Sequence, residues 1–358
     1  MRESGSRLKE IIETPAFDKI LSSVGMKGFW ASLRVRYGKM RQLAIAKRVY
    51  DKGKGAGSYE DYKDALGKHW VSYNEYALQY DFPKKPEQVR EEYVSRLKMK
   101  YFVWKYIPAS VQYIFKDKVL FLSFFKSFVH REWLFAPDAT FDEFVSLVSR
   151  YDCIVKPKAG SLGQGIFKTC KDSVRDIRAL YDSCVKGRML VEQYIESCDE
   201  LSAFHPQSLN SIRVVTVSNQ EKAEVFGSFF RMGGGASIVD NAHAGGIFAQ
   251  INVETGVIES DGINTKGQRF PFHPDSRLKI KGFKIPKWDL ICEACCEAAV
   301  MTGNTLTGWD VVINKSGEIE FVEGNNAPDF DVMQSPLQVG VKNRLFSLIK
   351  EYSGVEME

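Results

Sequence analysis

The chain reads as an α+β protein whose sheet-forming part follows an additional, mainly helical N-terminal region. Three observations give that reading. Apolar residues at helical spacing dominate roughly the first hundred residues; from about residue 113 short β-rich runs alternate with helical ones; later strand-like runs follow one another with few helices between, as in a largely antiparallel sheet. At 358 residues, 44% hydrophobic and 26% charged, the composition is that of a soluble globular protein with room for two or three domains or subdomains. Three parts are expected: 1–110, a helical region that could serve for docking; 111–196, a small α+β unit; and 197–358, a larger one.

In the first part, "MKGFWASLRVRYGKMRQLAIAKRVYDKGKG" mixes Lys and Arg with Trp30, Leu33, Val35, Tyr37, Leu43 and Ile45 at amphipathic helical spacings. Residues 1–110 hold 22 Lys and Arg against 13 Asp and Glu, a surplus of nine, and the remainder is five short, which gives the net +4. An anionic substrate, an anionic lipid surface or nucleic acid would each suit a basic face, but so modest a surplus fits a solvated helix face over a core better. Nucleic acid is not expected as a partner; membrane-surface contact through this region stays as the weaker alternative. "GKGAGSYEDY" interrupts the helices, and "YDFPKKPEQ" marks a junction before a further helix over about 87–101. No apolar run approaches the roughly 18 to 20 residues of a membrane span, and the opening "MRESGSRLKE" lacks the apolar stretch of a signal peptide, so a cytoplasmic location is expected. The seven cysteines follow no scaffold pattern and read as reduced thiols. Cys292, Cys295 and Cys296 share helical spacing with Ile291, Ala299 and Val300, so a buried helix face accounts for them better than a metal site.

The middle part opens with "DATFDEFVSLVSRY", where Thr140 and Glu143 have capping-box spacing for a helix to about residue 150. A strand over 153–156, the loop "PKAGSLGQG", a strand in "IFKTC", a helix over about 172–184 and a strand in "RMLVEQYIE" follow. Lys156 ends its strand, and Gly160, Gly163 and Gly165 come after it. Glycines let backbone N–H groups approach an anion closely, and the lysine adds a compact positive charge. The loop enters a strand and lacks a final Gly-Lys-Ser/Thr, so it is neither a Walker loop nor a dinucleotide fingerprint. A flexible hairpin turn explains it about as well.

The last part runs through "SIRVVTVSN", "AEVFGSFFRMG" and "GIFAQINVETGVIE" as strands, with Thr255-Gly256 as a turn, then a helix over 287–302 and a final hairpin, "TGWDVVINKSGEIEFVEGNN". Helices are expected on one side of this sheet. In the hairpin, runs 310–314 and 319–323 flank the turn Lys315-Ser316-Gly317-Glu318. Pairing Asn314 with Ile319 carries back to Val312 opposite Phe321 and Asp310 opposite Glu323, and alternation brings Asn325 to the same face. Opposed like charges are unfavourable in a sheet, and two carboxylates resist joint ionisation unless a cation sits between them. A divalent metal would remove the conflict, since two carboxylates and an amide oxygen are hard ligands that suit Mg²⁺ completed by nucleotide phosphates. The bland alternative is a solvated hairpin end.

The order of parts, a lysine on a strand before a Gly-rich loop, then "LVEQYIE", then arginine-bearing strands, then an acid paired with Glu-x-Asn, resembles the ATP-grasp family over about residues 115–331. "HPQSLNSIRVVTV" and "GWDVVINKSGEIEFVEGNNAPDFDVMQ" resemble its sugar-transfer-associated branch. The resemblance implies an ATP-grasp fold of two α+β subdomains with ATP between them. By it, Lys156, Gly160, Ser161, Gly163, Gln164 and Gly165 surround the phosphates; Glu192, Gln193, Tyr194 and Ile195 form the hinge against adenine; and Glu200 meets the ribose hydroxyls, with Glu196 and Asp199 as rivals. Lys118 in "KDKVLF" resembles the family's earlier ATP-binding lysine, although a surface lysine is the stronger reading there. Asp310, Glu323 and Asn325 match the family's ligands for Mg²⁺, one ion or two, with Mn²⁺ able to substitute. Arg213 and Arg231 lie on successive strands, and either planar guanidinium would suit a transferred phosphoryl group. "DNAHAGG" resembles the Asn-x-His-x-Gly-Gly stretch of glutathione-synthetase-like members and places Asn241 and Gly245 near the γ-phosphate. One departure is visible: ligases related to D-alanine:D-alanine ligase carry Arg shortly before the metal Asp, where this chain has Gly308-Trp309. Arg213 or Arg231 must then do that work. His205-Pro206 resembles the branch's signature without suggesting a mechanism.

The activity so implied is an ADP-forming carboxylate–amine ligase working through an acyl phosphate. ATP, a small-molecule carboxylate and an amine, sugar-linked ones included, are its expected partners, in polysaccharide or glycan-precursor modification. A small-molecule kinase of the same fold and a non-catalytic nucleotide-binding scaffold are the alternatives.

Overall fold

The computed structural model describes residues 15–159, 165–172, 176–235 and 246–357. The N-terminal region is helical as expected: α1 (Pro15–Ser23), α2 (Lys27–Tyr50) and α3 (Tyr59–His69). Ser58 starts α3 by accepting from the Asp61 amide at 3.0 Å. Around α3, Tyr62, Tyr76, Tyr80, Phe82 and Tyr93 form a separate aromatic core. The helix expected over 87–101 is instead one turn (Glu87–Arg90) followed by α4 (Arg96–Tyr106). Two effects defeat continuity: Ser95 caps a new helix by accepting from the Lys98 amide, and Tyr93 and Val94 are buried just before it, the Val94 amide held by the distant Gln334 Oε1 at 3.0 Å.

Two short helices, α5 (Ala109–Lys116) and α6 (Lys118–Phe124), join this region to the sheets. Asp117 caps α6, accepting from the Val119 and Leu120 amides. Phe115, Phe121 and Phe125 from this pair pack together with Trp309 and Phe321 of the hairpin.

The small sheet contains β1 (Trp133–Phe135), β2 (Cys153–Pro157), β3 (Phe167–Thr169) and β4 (Met189–Gln193), in the order β1-β4-β2-β3 with every pairing antiparallel. Strand β1, three residues long, carries too little pattern to be read from sequence. Helices α7 (Phe141–Arg150) and α8 (Ile177–Lys186) cover the sheet with Phe144, Leu147, Val148 and Cys184. The α7 capping box forms as its spacing requires, the Thr140 amide donating to Glu143 and the Glu143 amide to Thr140.

The large sheet holds β5 (Ser211–Ser218), β6 (Ala223–Met232), β7 (Ile247–Ile251), β8 (Gly262–Ile263), β9 (Arg269–Phe270), β10 (Leu306–Ile313) and β11 (Ile319–Asn325). Its order is β11-β10-β5-β6-β7-β8-β9, antiparallel as expected. The expectation of helices on one side is corrected. Helix α9 (Trp288–Thr302) packs on the face of Ile212, Val214, Phe230 and Val311, while α4 and α10 (Lys342–Ser353) pack on the face of Val215, Val217, Phe226 and Phe229. Every residue of β5 and β10 is buried in consequence, which removes the alternation that a one-sided sheet would show. In α9, Cys295 is fully buried with Cys292 and Cys296 half-buried beside it, and the cysteines are free thiols, as packing residues should be. Among the described residues no helix is long and apolar enough to cross a membrane.

Candidate functional site

Phe115, Lys118, Phe121, Leu122, Lys156, Val322 and Glu323 line one pocket of ≈ 250 Å³, counted out to open solvent, so α6, the small sheet and the hairpin meet there. The surface reading of Lys118 does not survive. Asp117 at the head of α6 pairs with Lys158 Nζ at 2.9 Å, and the Lys118 amide donates to the Lys158 carbonyl at 3.0 Å, which fixes the start of α6 against β2. The Lys118 side chain is turned inward. Burial pulls its ammonium pKa down, with Glu323 opposing and Lys156 reinforcing the effect.

Lys156 lies at the end of β2, which runs one residue past it to Pro157, and pairs with the Glu192 carboxylate on β4. Glu192 is 3% exposed. Burial would raise its carboxyl, but Lys156 and Arg131 outweigh that and hold it below the usual range. Arg131 is the residue that sequence reasoning missed. It donates from Nε to Glu192 Oε1 at 2.9 Å, and its Nη1 reaches both the Glu320 carboxylate and the Phe321 carbonyl, the latter at 2.8 Å. One buried guanidinium thus ties β4 to β11, two residues from Glu323. The available signal was a charged pair inside the aromatic run "KSFVHREWLF".

Of the expected hinge, the Gln193 and Tyr194 amides already donate to the Glu132 and Asp152 carbonyls, each at 2.8 Å, and Ile195 follows them. Among the acids beyond it, Glu196 is bound to Lys315 at 2.8 Å, while Asp199 and Glu200 are exposed. Gly165 takes φ +72°, a backbone that glycine suits. Gly160, Ser161, Gly163, Gln164, Asn241 and Gly245 lie outside the described residues.

The hairpin pairs Asp310 with Glu323 and Gly308 with Asn325, so the three expected metal residues share one face. The path to that pairing differs from the expected one: Ile313, not Asn314, opposes Ile319, and a β-bulge between Asp310 and Val311 restores the register. The opposed carboxylates are also relieved by protein charge. Arg213 pairs with Asp310 through two nitrogens, Nη2 to Oδ2 at 2.7 Å, and Arg231 Nη1 donates to Oδ2 at 2.8 Å. Burial would raise the Asp310 carboxyl, yet Arg213 and then Arg231 hold it down at about 2. Gly308 explains why the departure in this motif is tolerated. A Cβ there would lie 3.3 Å from Arg213 Cδ and 3.4 Å from Nη1, so the arginine of β5 fills the space over position 308.

Among the described residues no group of three or more His, Cys, Asp or Glu is placed to hold a metal. The candidate set is two carboxylates and an amide. Its donors are all hard oxygens on one face and fit Mg²⁺, with Asn325 Oδ1 already accepting from the Ala327 amide at 2.9 Å and keeping a second lone pair.

His205 also gains a role. Its Nδ1 meets Ser208 Oγ at 3.0 Å and its Nε2 meets the Gly235 carbonyl at 2.9 Å, while His273 Nε2 meets the Gly233 carbonyl at 2.9 Å. Two buried imidazoles therefore fix the backbone where β6 leaves the sheet.

Over residues 98–350 the chain matches the family described as sugar-transfer associated ATP-grasp. The chain belongs to that family. No curated protein matches it. Similar solved structures include the ATP-grasp ligase PsnB complexed with minimal precursor, Mg and ADP, at 13% identity, with 71% of this chain and 66% of that chain covered and a TM-score of 0.44. They also include the D-alanine-D-alanine ligase from Coxiella burnetii, at 11% identity, 69% and 64% coverage and a TM-score of 0.38. N5-carboxyaminoimidazole ribonucleotide synthetase from Thermotoga maritima matches at 11% identity, 65% and 51% coverage and a TM-score of 0.36. This ATP-grasp chain spans about two thirds of the length of the first two proteins and half of the third.

Proposed function

We propose that this ATP-grasp chain is an ADP-forming ligase that joins a carboxylate to an amine, acting on a polysaccharide or glycan precursor. One observation carries the reading: Lys118, Lys156 and Glu323 converge on one pocket, with Asp310 paired across the hairpin from Glu323 and clasped by Arg213 and Arg231. The association of the family with sugar transfer supports the acceptor class.

In this reading the chain divides at about residues 110 and 196, and ATP lies between the two sheets. Lys118 and Lys156 hold its phosphates together with Gly160, Ser161, Gly163, Gln164 and Gly165. Ile195 offers its amide to the adenine edge beside Glu192, Gln193 and Tyr194, and Glu200 meets the ribose. Asp310, Glu323 and Asn325 would hold Mg²⁺, one ion or two, or Mn²⁺ in its place; the metal supplies charge neutralisation for an in-line phosphoryl transfer. Arg213 and Arg231 each have a guanidinium poised beside Asp310 that can pass to phosphoryl oxygens, with Asn241 and Gly245 on the γ-phosphate side. A carboxylate oxygen attacks the γ-phosphorus and ADP leaves. The amine nitrogen then attacks the acyl carbon, phosphate leaves, and the nitrogen gives up its proton.

Mass spectrometry of ATP incubated with pooled carboxylates and amines tests this. An amide product, with phosphate released only when an amine is present, is the expected result. A stable phosphorylated acceptor would make the chain a kinase, and no consumption of ATP across the panel would leave a scaffold. Lys156→Ala should weaken ATP binding at least tenfold, and unchanged affinity would remove the loop assignment.

A further inference from the structure

Helix α2 carries Lys27, Arg34, Arg36, Lys39, Arg41, Lys47 and Arg48 and no acidic residue over its 24 positions. One of its faces packs inward through Ala31, Val35 and Ala46, and Gly38 closes on the Leu97 side chain of α4. The opposite face is apolar and exposed: Phe29 57%, Leu33 37%, Tyr37 71% and Met40 68%. At 3.6 residues per turn these four fall within an arc of about 80°, with Arg36 and Lys47 along one margin and Arg41 and Arg48 along the other. All four of those basic residues are exposed. Ile20 and Val24, immediately before α2, are 58% exposed, and Met26 41%.

We infer that this face of α2 is a docking surface for a bilayer that contains anionic lipid. An apolar strip about 17 Å long on a helix of about 36 Å, flanked on both sides by cations whose alkyl stems can lie along it, matches a helix resting in the interfacial plane. Charge complementarity selects the occupant. A second copy of the chain, docked by the same face about a two-fold axis, would set the four flanking cations of each helix against those of the other with no acid on the helix to answer them. A nucleic-acid backbone would meet the charges but leave the apolar strip without a partner. Anionic headgroups over acyl chains answer both features.

Flotation of the full chain with vesicles tests this, comparing phosphatidylcholine alone with phosphatidylcholine containing phosphatidylglycerol at about one part in three. At least tenfold stronger partitioning to the anionic vesicles is expected, lost in high salt. Loss of at least tenfold is expected for the apolar pair Phe29→Ser with Met40→Ser, and separately for Arg36→Gln with Arg41→Gln and Arg48→Gln. These side chains are exposed, so unchanged circular dichroism and melting should accompany the loss. Equal binding to both vesicle types, binding to neither, or undiminished binding by the variants overturns the inference. So does a chain that sediments as a dimer broken by the apolar pair and ignores vesicles, which would assign the face to a second copy.

Discussion

Asp310 is neutralised by two guanidiniums before any metal is counted, and this separates two substitutions that look alike in the sequence. Asp310→Asn leaves Arg213 and Arg231 facing each other without their buried counterion, so it should cost stability, roughly 3 to 5 kcal/mol by chemical denaturation, as well as turnover. Glu323 is exposed in the pocket, so Glu323→Gln should leave the unfolding curve in place while lowering kcat by roughly 10²- to 10³-fold. Equal loss of stability in both variants would contradict this account of the hairpin. Gly308 gives a finer probe. A Cβ there would sit 3.0 Å from Pro328 Cβ, which cannot swing away, and 3.3 Å from Arg213 Cδ, which is tethered to Asp310. Gly308→Ala should therefore displace Arg213 by a few tenths of an ångström and lower kcat about tenfold, short of the roughly 10²-fold of a full ångström. Unchanged kcat would mean that Arg213 serves only to balance Asp310.

At the scale of elements, what sequence reasoning could reach depended on whether a local period carried the information. The hairpin, the α7 capping box and the packing of α9 were legible because alternation, capping spacing and an i, i+3, i+4 face are local. The face shared by Asp310, Glu323 and Asn325 was legible for the same reason, although the register at the turn was one residue out and the bulge compensated. The break at Ser95 and the burial of both faces of the large sheet were not legible, since both depend on distant parts of the chain such as Gln334 and α10. Arg131 belongs with these. Its partners are 61 and about 190 residues away, and no spacing rule links them. Arg131→Met should leave Glu192 and Glu320 as buried carboxylates without their shared cation and destabilise the protein by roughly 3 to 5 kcal/mol. Because Lys156 shares Glu192, ATP affinity should fall as well. Denaturation and nucleotide titration of one preparation check both, and a stable variant with intact affinity would reduce Arg131 to packing.

The largest-scale feature is the junction between the aromatic N-terminal core and the segment that follows the hairpin. Gln79 Nε2 donates to Asp331 Oδ2 at 2.6 Å, Arg96 pairs with both Asp329 and Asp331, and Gln334 bonds Tyr80 and Val94. Glu75 is buried in this junction and accepts from the Ser72 and Arg96 amides at 2.6 and 2.7 Å. Burial, and then the nearby Asp331 charge, push its carboxyl up from 4.5 to about 7. A carboxyl that holds its proton more tightly in the fold than in the open chain contributes stability fully below its ordinary value, and that contribution is lost as pH rises through the folded value. The junction should accordingly weaken between about pH 4.5 and 7, by on the order of 3 kcal/mol. Glu75→Gln cannot ionise and should flatten this part of the stability profile, with its largest gain over the natural chain near pH 8. Parallel profiles for the two chains, measured by urea denaturation from pH 5 to 8, would show that Glu75 keeps an ordinary carboxyl and that the junction holds its charges in another arrangement.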